Sequence, residues 1–241
     1  MPISITSGNG PMGWRQLAMS AALATTVVLM VMSFVAVIIL LLIPTALLAL
    51  GAALTRRAGN AGPILLVVVA LLFVLTNGPF LLPYLEVPAS WTNFILASLA
   101  LVGSVVTLIA AMATIRSHAR ARSTAPRSVA LGAVGLVLVS LGVAVAAGIG
   151  YSAPSAQPGD VRLVASNIKF SHTTLQTKAG SISVFVINRD TVLHTFTIDR
   201  LKVNLNIPAN SAGRVTFTGA AGNYRYMCTL HSDMHGTLVV R

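Results

Sequence analysis

The chain has 241 residues, of which 55% are hydrophobic and 9% charged, and a formal net charge of +11. A soluble globular domain carries about 25% charged residues, so this composition excludes an ordinary soluble protein and points to the membrane. The charge divides into +6 over residues 1–159 (seven Arg, one Glu) and +5 over 160–241 (nine Lys or Arg, four Asp). Basic and aromatic residues do not interleave in the second part, so no nucleic-acid partner is expected.

Residues 17–54, 58–85, 87–115 and 128–159 contain no Asp, Glu, Lys or Arg. Spanning a bilayer takes about 20 mostly apolar residues, so each stretch is long enough. The predicted spans are 17–43, 63–82, 91–115 and 129–150, giving an α-helical transmembrane bundle over 1–150. The first stretch, which runs on to residue 54, reads either as one long helix kinked at Pro44 or as a helical hairpin. Asn77-Gly78-Pro79 predicts a kink or an early end in the second. The first apolar run far exceeds the roughly 7–15 residues of a signal-peptide core, so it is expected to be retained.

Arg56 and Arg57 follow the first span, and Arg116, Arg120, Arg122 and Arg127 follow the third. The loop between the second and third spans has Glu86 and no base. Lys and Arg collect in cytoplasmic loops, so both basic loops are expected inside and everything after residue 150 outside. The preference for Arg over Lys and the abundance of Ala suggest a bacterial cell membrane. Gly135, Gly142, Ala144 and Gly148 in the fourth span suit close helix packing.

Residues 151–160, "YSAPSAQPGD", form a linker without hydrophobic period. The pattern then alternates. In 181–188, Ile182, Val184 and Val186 share a face. His194, Phe196 and Ile198 share one in 194–198, Val215 and Phe217 in 214–218, and Tyr224, Tyr226 and Cys228 in 223–228, with a last strand at 237–240. Several short strands between turn signals predict a β-sandwich over 161–241. The parity puts His194 and Cys228 inward, both at strand ends.

Residues 227–236, "MCTLHSDMHG", hold the only Cys, two of the five His and two of the eight Met. His194, Cys228, His231 and Met234 together offer two imidazoles, a thiolate and a thioether. Two His and one Cys with a weak axial Met are diagnostic of a blue copper centre. His235 adjoins the loop as an alternative to His231, although Gly236 suggests that it already leaves the site. His172 and His118 read as solvated loop residues. A single Cys excludes a dinuclear centre bridged by two cysteines, and five histidines are too few for a multicopper oxidase.

"NIKF", "AGSISVFVINRDTVLHTFTID" and "AGNYRYMCTLHSDMHGTLVV", in this order, resemble the cupredoxins over 161–241, about a third of the chain. The ligand loop is most similar to the amicyanin type. The resemblance implies a Greek-key sandwich and one mononuclear copper, with His194 as upstream ligand, Cys228 as thiolate, His231 as second imidazole and Met234 as axial thioether. Leu230 and Ser232 stand where such loops carry proline, and Thr195 stands where an Asn braces the loop, so a less rigid site is expected. The function expected is a membrane-anchored, non-enzymatic single-electron carrier, with the lipid bilayer and a redox protein as partners. The alternative is a copper-handling protein without an electron-transfer role.

Overall fold

A computed structural model describes residues 13–35, 39–57, 59–116 and 125–241. The chain divides into two compact units, Met1–Pro79 with Ser98–Val139, and Phe80–Ala97 with Ser140–Arg241.

Among the described residues, four helices are long and apolar enough to cross a membrane: α1 (Trp14–Val35), α3 (Ala61–Leu85), α4 (Trp91–Arg116) and α5 (Ala125–Gly150). Between α1 and α3 lie a 3-10 turn (Ile39–Leu41) and the shorter α2 (Leu42–Thr55). The first apolar stretch is therefore a hairpin, not one long helix. Arg15, at the start of α1, donates from Nη1 to the carbonyls of Thr55 (2.7 Å) and Arg57 (2.5 Å) and from Nη2 to that of Gly59 (2.9 Å). The last carbonyls of a helix have no partner within it, and a cation there also suits the helix dipole. One guanidinium thus caps α2 and ties the two ends of the hairpin together.

The expected kink at Pro44 is not where the chain breaks. Pro44 is the third residue of α2, where its missing N–H would have no intrahelical acceptor. Nor do Asn77-Gly78-Pro79 end α3, which continues to Leu85. Of the small residues of α5 expected to pack closely, Ala144 is buried. Gly135, Gly142 and Gly148 of α5 face open space, whereas a Cβ at Gly103 of α4 would strike Thr25 of α1.

The second unit holds two sheets. One has the order β2-β1-β4-β7, from β1 (Val161–Ser166), β2 (Lys169–Phe170), β4 (Gly180–Asn188) and β7 (Ala212–Gly219). The other has the order β3-β9-β8-β5-β6, from β3 (Thr174–Thr177), β5 (His194–Ile198), β6 (Val203–Ile207), β8 (Gly222–Met227) and β9 (His235–Val240). β1 runs parallel to β4 and β3 to β9, and the remaining pairs are antiparallel. Alternating residues from both sheets meet inside, among them Ile182, Val184, Phe196, Ile198, Tyr226 and Leu238. Residues 151–160 are tied to β7 at both ends. Tyr151 Oη donates to the Ala212 carbonyl (2.9 Å), and Arg214 binds both Asp160 carboxylate oxygens.

Gly236 shows why the strand after the ligand loop begins as it does. It lies opposite Tyr226, whose hydroxyl crosses it to donate to the His172 carbonyl. A Cβ there would fall on that hydroxyl and within 2.8 Å of the Thr173 carbonyl. Only glycine leaves the ring its place.

Candidate metal centre

His194 opens β5, Cys228 follows the last residue of β8, and His231 and Met234 lie in the turn before β9. The turn is closed by two backbone bonds, Cys228 N–H to the Met234 carbonyl (2.8 Å) and Met234 N–H to the His231 carbonyl (3.0 Å). That closure folds a seven-residue loop so that Cys228 and His231 face His194 at the start of β5.

The donor atoms converge. His194 Nδ1, His231 Nδ1 and Cys228 Sγ form a triangle with sides of 3.1, 3.5 and 3.8 Å. The circle through such a triangle has a radius of about 2.0 Å, close to a metal–imidazole bond (roughly 2.0–2.1 Å for zinc). Met234 is 1% exposed and clusters with Cys228 and Ala165. His194 is wholly buried, whereas His231 is half-buried. His235 is exposed and bonds the Ser232 carbonyl, and His172 is exposed beside Ser171. Neither belongs to the cluster. His118 lies outside the described residues.

Protonation suits a metal site. The Asp190 carboxylate lies 2.7 Å from His194 Nε2 and accepts its proton, which leaves the Nδ1 lone pair facing Cys228 and His231. Asp190 is itself held by the N–H groups of Asn167 (2.7 Å) and Ile168 (3.0 Å). Burial raises its pKa, but these bonds and His194 outweigh burial and keep it below the ordinary carboxylate value. Burial also pushes the Cys228 thiol up. The neighbouring His194 and His231 rings and the N–H groups of Thr195 and Leu230 overcome this and bring it down to about 5. Burial lowers the His194 pKa, whereas bonds to Cys228 and Asp190 raise it further, above its ordinary value.

The pH dependence of the metal-free protein follows. A depressed thiol pKa stabilises the fold at high pH, and that contribution is lost as pH falls through about 5. Asp190 adds a loss below its ordinary 3.8. The His194 contribution is complete below its ordinary 6.5 and is lost only as pH rises through its higher folded value. Stability of a metal-free fragment of residues 151–241 should therefore climb between pH ~4 and ~6.5, by at most about 1.4 kcal/mol per pH unit for each proton released. Urea midpoints across that range check this. Cys228→Ser should remove the slope above pH ~5.

Two residues that the ligand motif does not announce shape the site. Asp190, four before His194, fixes its tautomer. Asn188, 1% exposed, donates from Nδ2 to the carbonyls of Val192 (2.8 Å), Ile207 (3.0 Å) and Pro208 (3.0 Å), and its Oδ1 accepts the Asp190 N–H (2.9 Å). Asn-x-Asp-x-x-x-His was visible in the sequence as a turn signal only.

Thr195 corrects the expectation of a loose loop. Its Oγ1 accepts the Thr229 N–H at 2.8 Å, and its own N–H donates to Cys228 Sγ at 3.3 Å. A hydroxyl thus makes the brace expected of an amide. The four side chains form a candidate copper site: a soft thiolate and thioether with two imidazoles, of which the two ring nitrogens and the sulfur of Cys228 converge.

Residues 136–240 match the family model of the cupredoxin-like domain. Among solved structures, the Cu(I) form of an amicyanin variant is similar at 25% identity, covering 38% of this chain and 90% of that one, with a TM-score of 0.33. A reduced Cu(I) form of another amicyanin variant at pH 4 has 27% identity over 38% and 90%, with a TM-score of 0.32. Amicyanin from Paracoccus versutus has 21% identity over 36% and 85%, with a TM-score of 0.31. No curated protein matches. Two packed sheets, the converging ligand set and the family match lead to one identification: the chain carries a cupredoxin-like domain at its C-terminal end.

Proposed function

We propose that the protein is a membrane-anchored type 1 copper protein that carries single electrons on the extracytoplasmic side. The observation that carries this reading is the triangle of His194, His231 and Cys228 donors beside a buried Met234. Bound there, copper would supply a one-electron Cu(II)/Cu(I) couple. Cys228 provides the thiolate and Thr195 N–H holds it. His194 is locked from behind by Asp190, so neither ligand needs to reorganise. His231 presents the partly open edge through which electrons can pass. A closed site of four ligands argues against rapid metal exchange and so favours electron transfer over copper delivery. The copper-loaded chain should therefore exchange electrons with its own reduced form many orders of magnitude faster than it gives up copper to a chelator. Release of copper on the same timescale would turn the assignment towards copper handling.

The orientation has two supports. Arg15, Arg56 and Arg57 gather at one end of the hairpin, in keeping with a cytoplasmic face. The α3–α4 turn and the copper domain share hydrogen bonds, which suits a common, opposite face. A cysteine at Ser155 should react with an impermeant reagent added to intact cells, and one at Ser123 should not. Reaction at Ser123 would reverse the orientation.

A further inference from the structure

Two polar side chains are buried at the start of α4, Ser90 (3% exposed) and Asn93 (7%). A helix start at a membrane surface has water to satisfy it, so burial of these groups needs partners. Their partners lie on the copper domain. Asn93 Nδ2 donates to the Thr191 carbonyl at 3.1 Å, and the Ala209 N–H donates to Ser90 Oγ at 3.3 Å. Asn93 Nδ2 also donates to Ser90 Oγ at 3.0 Å, so the two side chains act as one group.

Both contacts fall at the ligand-bearing end of the sandwich. Thr191 precedes His194 by three residues. Ala209 follows β6, whose Ile207 pairs with His194. Between Thr191 and His194, Val192 and Leu193 are 3% and 0% exposed, yet both lie outside the two apolar clusters that fill the sandwich. Apolar residues next to a ligand at a domain end are buried only if something lies on that end, and the α3–α4 turn is hydrogen-bonded there.

We propose that the α3–α4 turn is a built-in seat for the copper domain. It occupies the apolar end surface beside His194, fixes the domain on the helices and leaves the His231 edge as the face through which electrons are exchanged. The turn then sets the geometry of electron transfer rather than merely tethering the carrier. This last consequence rests on the copper reading, whereas the seat does not.

The test uses the full chain in membranes, carrying Ser90→Cys and Ala209→Cys, with a protease site inserted between Ala156 and Gln157. After mild oxidation and cleavage, the two fragments should remain joined on a non-reducing gel. Single-cysteine controls exclude joining through Cys228. A pair of Ser90→Cys and Lys178→Cys, the latter beyond the far end of the nine-residue β4, should not join. Absence of the first product, or equal yield from both pairs, would overturn the seat. In the copper-loaded chain, Asn93→Leu should raise several-fold the rate of oxidation by a soluble protein oxidant, with little change for ferricyanide. Unchanged rates for both oxidants would overturn the role of the seat in setting the geometry of electron transfer. Cross-linking is read without metal, so a joined but colourless protein would remove the copper reading and uphold the seat.

Discussion

Cys228→Ser should abolish the intense visible thiolate-to-copper band of the oxidised protein. The wild-type thiol, brought down to about 5, is a thiolate at neutral pH, so copper is bound without a proton cost. A serine hydroxyl stays protonated there and is a hard donor. What remains is His194, the half-buried His231 and the neutral Met234 thioether, a set without a soft anion. Copper affinity should fall by more than the roughly 10–100-fold that losing a hydrogen-bond partner of a ligand costs. The fold should survive, because serine is similar in size and can accept the Thr195 N–H that now points at Sγ. Titration with copper, the visible spectrum and thermal unfolding separate these effects. Thr195→Asn is the contrasting variant. It keeps the backbone N–H and an acceptor for Thr229, so the band should persist. A wild-type protein that is folded, copper-loaded and colourless when oxidised would sink the type 1 assignment.

The helical part shows how far local pattern reaches. Apolar length located the four long helices, whose apolar runs are long and continuous enough to cross a hydrocarbon layer. It did not settle the hairpin. The 3-10 turn Ile39–Leu41 that precedes α2 lies within an apolar run, where neither Gly nor Pro marks it. The hairpin reflects packing of α1 on α2 and the reach of Arg15 to the far end of α2, a contact over about 40 residues that no window reveals. Pro44 misled because proline marks helix starts as well as kinks.

In the sandwich, strands with strong alternation were legible: 181–188, 194–198, 214–218, 223–228 and 237–240 all lie in or overlap strands. β1 and β6 also alternate, with Leu163 and Ala165, and Val203 and Ile207, buried, but neither was singled out. β2 and β3 are too short to carry a period. They exist because neighbours offer unpaired edges. The four candidate residues stood out in the sequence because their chemistry is rare and their spacing tight, and the structure brings His194, Cys228 and His231 together. The supporting residues were not. Asp190, Asn188, Ser90 and Asn93 are common surface residues, and only tertiary placement makes them structural.

Asn188→Ala should be the most destabilising substitution around the site that removes no ligand. It strands the carbonyls of Val192, Ile207 and Pro208 and the N–H of Asp190 in a place from which water is excluded. Each buried group left without a partner costs about 1–3 kcal/mol, and the costs overlap because two amide protons serve three carbonyls. A net loss of about 3–5 kcal/mol is expected in urea unfolding of the metal-free fragment 151–241. Domains hold only roughly 0.05–0.15 kcal/mol per residue, so such a loss takes much of the total. Asp190→Asn removes a charge but keeps a polar side chain of the same size. It should cost about 1 kcal/mol or less and instead lower copper affinity by roughly 10–100-fold, because the His194 tautomer is no longer fixed. Copper in 1,000-fold excess over its dissociation constant returns about 4 kcal/mol by mass action. Copper-loaded Asn188→Ala should therefore be folded and coloured where the metal-free form is not. A loss under 1 kcal/mol in the metal-free variant would show that the β4–β5 and β6–β7 loops are held by other contacts.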